Sequence, residues 1–217
     1  MPVTGLYFCP DSGTTQATAL AIRDRLSKLY QPVISAKWSL EHRLLRENAP
    51  PPPPPSTPTT STPSTTPPQP RFLQYLDLSY HPAKKFCLVD RTIVTVDDSF
   101  ESILTSKLQG GLWGMRQTLK AEGETFSLED FRIRIAMLSQ GTVIKGVLVE
   151  VEYLPAVYLE HGEGVIRDFI EQLGLPSGGN VRLYFSQAAR MPGDDKEPRE
   201  FSILDTGMQY MELLRFR

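Results

Sequence analysis

The sequence predicts an α+β domain built mostly from antiparallel strands, with a sheet closed or nearly closed on itself as in a β-barrel and a few flanking helices. Three observations predict it. About nine strand-like segments outnumber the helices, no strand–helix–strand rhythm runs through the chain, and the clearest alternation falls on two neighbouring segments joined by a short turn. The whole chain, residues 1–217, reads as one such domain with a single interruption. Between Pro50 and Pro70 lie 11 of the 19 prolines and 9 serines or threonines, with no charged and no apolar side chain. A segment with nothing to bury and few backbone donors reads as a disordered, exposed spacer inserted in a loop. At about 3.1 Å per residue it would reach on the order of 65 Å. Its Thr57-Pro58, Thr62-Pro63 and Thr66-Pro67 steps are candidate phosphorylation sites, and its PxxP spacing is a candidate SH3-type ligand, although the composition alone accounts for both.

Val3 to Cys9 reads as the first strand, and Asp11-Ser12-Gly13-Thr14 supplies turn and cap residues for a helix from Thr15 to Tyr30. Its buried side would carry Ala19, Ile22, Leu26 and Leu29, and Pro32 stops it before a strand from Val33 to Leu40. Beyond the insert, Phe72–Tyr80, Lys84–Val89 and Thr92–Val96 follow as strands, the last two joined through Asp90-Arg91. Asp98 and Glu101 form a capping-box pattern ahead of Phe100, Ile103, Leu104 and Leu108, and Gly110-Gly111 ends that short helix. Leu112–Leu119 reads as a strand. Phe131, Ile133, Ile135 and Met137 then alternate with Arg132 and Arg134, and Val147, Val149, Val151 and Tyr153 repeat the pattern across Ser139-Gln140-Gly141-Thr142. Val165, Ile166, Phe169, Ile170 and Leu173 mark an amphipathic helix, Val181–Phe185 a short strand, and Asp205 caps a terminal helix bearing Met208, Met211 and Leu214.

Charge and composition exclude several functions. With 23 Lys and Arg against 25 Asp and Glu the net charge is −2, so no global positive field would hold nucleic acid or an anionic membrane. Cys9 and Cys87 are too few for a disulfide framework and belong to no zinc-spaced pair, which suits a reducing compartment. No apolar run approaches the roughly 18 residues of a membrane helix, and the first residues lack the pattern of a signal peptide.

One constellation could carry chemistry. Glu150 and Glu152 lie two apart on a strand and share a face, and Arg132 and Arg134 on the preceding strand could meet them. Turned inward, the four would resemble a divalent-metal triphosphate-hydrolase tunnel; turned outward, they pair across a solvated face while Val149, Val151 and Phe131 fill the core. The outward arrangement is the expectation, because charged alternation is what any half-exposed strand shows. His42, His81 and His161 each lack a second ligand at metal spacing, and no nucleophile motif accompanies His161-Gly162-Glu163-Gly164. Gly110-Gly111-Leu112-Trp113-Gly114 lacks the phosphate-loop lysine. The residues therefore assign no catalytic, cofactor-binding or metal site, and the expectation is that the chain is not an enzyme.

Gly146-Val147-Leu148-Val149-Glu150-Val151-Glu152-Tyr153-Leu154-Pro155, together with Met208-Gln209-Tyr210-Met211-Glu212-Leu213-Leu214, resembles the subunit 20 family of the Mediator complex of RNA polymerase II transcription. The likeness runs more loosely through Ile103–Gln140 and Val3-Thr4, leaving out the insert. The resemblance implies a non-enzymatic, barrel-like subunit of the Mediator head module, a nuclear coactivator component. It implies pairing with Mediator subunit 18, tethering by a helix of Mediator subunit 8, and a link to the TATA-binding protein, with no direct contact to nucleic acid or membrane. The metal-dependent triphosphate hydrolase is the alternative function. Met208, Tyr210, Met211, Leu213, Leu214 and Phe216 are the candidate partner interface, because a helix apolar on more than one side is covered only in part by its own core; complete burial in the chain's own sheet is the equal alternative.

Overall fold

In the computed structural model, which describes residues 1–48, 70–108, 111–175, 181–188 and 198–215, the alternating segments become strands of a single antiparallel sheet. The strands are β1 (Val3–Pro10), β2 (Val33–Glu47), β3 (Phe72–Leu78), β4 (Lys85–Val89), β5 (Thr92–Val96), β6 (Trp113–Ser127), β7 (Phe131–Gln140), β8 (Val143–Tyr153) and β9 (Arg182–Tyr184). The helices are α1 (Thr15–Tyr30), α2 (Ser99–Ile103), which continues into a π-helical turn at Leu104–Leu108, α3 (Leu159–Gln172) and α4 (Ile203–Leu214). The sheet order is β5-β4-β3-β2-β6-β7-β8-β1-β9. Its ends, β5 and β9, do not pair with each other among the described residues, so the sheet is open where the sequence suggested closure or near closure.

The sheet nevertheless curls strongly. From β3 to β8 is four strand steps, about 19 Å if flat, yet the hydroxyl of Tyr80, just past β3, donates to Glu150 Oε2 on β8 at 2.6 Å. The terminal helix explains the curl. α4 touches β1 near one end of the sheet and β3, β4 and β5 at the other, so the strands wrap around it. This differs from the expectation that all helices flank the sheet: α4 fills the concave side, while α1 and α3 cover the convex side over β7, β8 and β1.

Register decides which residues meet on each side. Opposed residues share a face, so Trp38, Gly123, Ala136 and Leu148 form one row on the concave side. There they join Leu6, Leu76, Phe86, Leu119, Met208, Met211 and Leu214. The next row, Ile135 and Val149, joins Ile22, Leu26, Ile166 and Phe169 on the convex side. A third, smaller cluster of Leu45, Leu73, Tyr75, Cys87, Leu104 and Trp113 lies under α2 and its π turn.

Two strands run longer than their apolar alternation indicates. β2 continues to Glu47 and β6 to Ser127, where charges sit beside buried residues and the register shifts, at Leu44/Leu45 in β2 and, facing Thr125-Phe126 of β6, at Ile34/Ala36, break the period of two. In β6, Gly123 is needed at a close approach, since a Cβ there would fall 1.9 Å from the Ile135 carbonyl oxygen. α1 has the expected bounds, and Ala19, Ile22 and Leu26 are buried, but Leu29 is left exposed at its end. The capping box expected at Asp98 does not form; Asp97 accepts the Ser99 N–H at 2.9 Å, while Glu101 turns to Arg43 at 2.6 Å. α3 starts at Leu159, so His161–Gly164 falls in its first turns, with Gly162 set against Val3.

The insert from Pro50 to Pro70 lies, apart from Pro70, outside the described residues, but its flanks are held together: Arg46 pairs with Phe72, and the Glu47 N–H donates to the Arg71 carbonyl at 2.9 Å. Met211 and Leu214 are fully buried on α4 against the sheet. Met211→Ala is expected to cost about 2–5 kcal/mol in urea unfolding, and Met211→Asp or Leu214→Asp to prevent folding of the isolated chain, as judged by circular dichroism.

Candidate functional site

The four charged residues that the sequence pairs do meet, and they face inward. Arg134 lies opposite Glu150 and Arg132 opposite Glu152 in the β7–β8 register, on the concave side with Ala136 and Leu148. The expectation of a solvated face is therefore overturned: Glu150, Glu152 and Arg134 are all buried, and only Arg132 reaches solvent. The reason is the curl, which gives β8 two buried faces, with valines under α1 and α3 and glutamates beneath α4.

Every oxygen of Glu150 is engaged. Oε1 pairs with the Arg134 guanidinium, and Oε2 accepts from the hydroxyls of both Tyr80 and Tyr210. Arg134 also reaches Glu152 Oε2 at 3.2 Å, where Arg132 arrives at 3.0 Å, and its guanidinium lies 3.7 Å from the centre of the Tyr80 ring. Burial, reinforced by the Glu150 charge, pushes both tyrosine hydroxyls well above their usual range, so they remain donors. Burial works against the Arg134 charge, but the Glu150 and Glu152 carboxylates outweigh it and raise its pKa. The arrangement is a charge-compensated knot that ties α4 and the β3 end to β7 and β8. Among the described residues no group of three or more His, Cys, Asp or Glu side chains is placed to hold a metal ion.

A second polar hub secures the start of α4. Ser202 is the N-cap and Asp205 the third helical residue, so the two form a reciprocal capping box in place of the expected Asp205 cap. Asp205 is fully buried; it accepts the Ala188 N–H at 2.7 Å and the Ser202 N–H at 2.7 Å, and it pairs with Arg199. Farther along, Gln209 donates to the Thr4 carbonyl at 2.9 Å, tying α4 to β1.

Of the candidate partner residues, Met208, Tyr210, Met211, Leu213 and Leu214 pack on the chain's own sheet, which is the alternative that the sequence left open; Phe216 lies outside the described residues. Sequence reasoning missed Tyr80 and the Arg199–Asp205 pair. No local pattern marks Tyr80, whereas Ser202-x-x-Asp205 is a readable capping box.

The buried histidine adds a pH response. His42 donates from Nε2 to Gln74 Oε1 at 3.0 Å, and burial drops its pKa to about 4. Because the unfolded chain takes up this proton first, stability should fall as pH drops from 6.5 towards about 4, by on the order of 3 kcal/mol. Asp205 acts lower: although burial opposes it, the Arg199 and backbone bonds hold its carboxyl below 3.8. Its stabilisation is present above that value and is lost as pH falls through the folded one. Urea unfolding across pH should show the first slope flattened in His42→Gln and the second in Asp205→Asn.

A family model described as the TATA-binding related factor (TRF) of subunit 20 of Mediator complex matches residues 1–215. Subunit 20 of Mediator from Schizosaccharomyces pombe is 24% identical over 193 residues, 88% of each chain. The Anopheles gambiae protein of the same name is 28% identical over 149 residues, 66% of this chain and 68% of its own. The solved Schizosaccharomyces pombe Mediator head module contains a chain 10% identical with a TM-score of 0.35, covering 79% of this chain and 94% of that one, a likeness too remote to carry function.

Proposed function

Because the chain belongs to the Mediator subunit 20 family, we propose that it is a non-enzymatic subunit of the Mediator head module, a protein-interaction scaffold in RNA polymerase II transcription. The observation that carries this reading is the family match across residues 1–215. The proposed site of action is the nucleus. The proposed partners are Mediator subunit 18 as the paired subunit, a helix of Mediator subunit 8 as the tether, and the TATA-binding protein.

The chemistry of the concave side supports a scaffold. Both oxygens of Glu150 are taken by Arg134 and two tyrosines, and α4 occupies the space a triphosphate would need beside them. In this reading Met208, Tyr210, Met211, Leu213 and Leu214 serve partner binding by holding the sheet in its curl, so that the surface offered to other subunits keeps one shape.

The purified protein is expected to hydrolyse no nucleoside triphosphate with magnesium or manganese and to co-purify with Mediator subunits 18 and 8. Triphosphatase activity that disappears in Glu150→Gln/Glu152→Gln would replace the scaffold reading with the hydrolase. We also propose that the chain is one domain with a dispensable insert. Exchanging Pro50 to Pro70 for a short Gly-Ser linker should move the thermal midpoint little, since loop closure depends only weakly on length.

A further inference from the structure

At the end of the molecule where α4 stops, three elements each bring an arginine to the concave side. Arg46 on β2 shares its face with His42 and Leu44, and it lies opposite Phe72 of β3 and Gly114 of β6. Arg215 follows α4 and sets its guanidinium 5.1 Å from the centre of the same Phe72 ring. Arg116 is the extra residue of the β6 register shift: Leu44 faces Gln117 and Leu45 faces Met115, so Arg116 has no partner of its own in the ladder and stands with Gln117 against Leu44.

These charges are not compensated within the chain. Arg46, Arg116 and Arg215 make no ion pair among the described residues. The acids at this end are accounted for one by one. Asp90 is taken by Arg71 at 3.2 Å. Glu47 lies opposite Trp113, in the row of the convex cluster under α2, and accepts the Arg71 N–H at 3.4 Å. Glu212, exposed on the last turn of α4 three residues before Arg215, offsets one of the three cations. Below Arg46 on the same face the lining stays polar: Gln74 and Gln117 are buried, and His42 is wholly buried with Nδ1 unpartnered. Apolar surface adjoins the cations, since Phe72 is only half-buried and Leu112, two residues before Gly114, is 62% exposed.

We propose that this arginine cluster at the α4 end binds a phosphorylated serine or threonine in a segment of a partner protein. Guanidinium forks match the oxygens of a phosphate, and its double negative charge balances three cations set against one acid. The apolar residues beside the phosphate rest on Phe72 and Leu112, which a bare anion could not use. A nucleic acid fits less well, because three arginines neutralise only a short run of phosphates and the chain as a whole carries −2. The inference rests on the placement of these charges and not on the Mediator assignment, so the peptide can fail to bind while co-purification with subunits 18 and 8 succeeds.

The probe is a fluorescein-labelled peptide, Gly-Val-phosphoserine-Leu-Val-Gly-amide, titrated into the full chain by anisotropy. The expected result is saturable binding that weakens with salt, at least tenfold tighter than the same peptide with unmodified serine. Arg116→Gln/Arg215→Gln should weaken binding about tenfold with the thermal midpoint unchanged, since both side chains are exposed. Arg46→Gln should add to that loss, and Lys37→Gln, on a distant part of β2, should cause none. Absence of binding at millimolar probe, equal affinity for the unmodified peptide, or affinity indifferent to the arginine substitutions would overturn the proposal. So would displacement of the probe by inorganic phosphate at the probe's own affinity, which would leave a simple anion site, or by a single-stranded RNA at lower concentration than the peptide, which would give the cluster to nucleic acid.

Discussion

One buried carboxylate fixes the relation between the sheet and the helix inside it. Glu150 on β8 accepts from Tyr80 past β3, from Tyr210 on α4 and from Arg134 on β7, so three separate parts of the fold converge on one side chain. Burying a lone carboxylate would cost several kcal/mol, and each donor is affordable only because the others are present. A flat sheet could not bring Tyr80 to Glu150, and an empty concave side could not supply Tyr210. Curl, helix placement and charge compensation therefore form a single requirement.

The same coupling explains how an open sheet can keep a fixed shape. A closed barrel holds its curvature by pairing its first and last strands. Here α4 is tied to β1 through Gln209 and Thr4, and it rests on β3, β4 and β5 from the other end. Gly207 permits this closeness, since a Cβ at that position would come within 2.6 Å of the Phe86 ring. The helix does with side chains what strand pairing does with backbone.

Local pattern was enough for most elements. α1, the β7–β8 hairpin and α3 each carry an apolar period and a stop signal within their own residues, and the structure places them close to where those signals fall. The far halves of β2 and β6 were not legible, because bulges and paired charges replaced alternation there. The site was legible as residue types and not as orientation. Glu150, Glu152, Arg132 and Arg134 were correctly grouped, but a period of two says only that they share a face. Which face is inward depends on α4, which lies far along the chain, and on Tyr80, which has no sequence mark. The apolar terminal segment carried its ambiguity for the same reason: composition shows that it must be covered, and only the tertiary fold shows by what.

The pairing of β1 has a consequence for how the nascent chain behaves on the ribosome. Val3 lies opposite Tyr153, and the carbonyl of Thr4 waits for a glutamine 205 residues later. β1 is buried on both faces in the finished molecule, so during synthesis it must remain without a neighbour until β8 has been made. A strand that waits so long is exposed to wrong partners, and topologies dominated by such distant contacts fold slowly. The slow step in reaching this fold therefore lies between the synthesis of β1 and that of β8 and α4, which must arrive before either face of the first strand is covered.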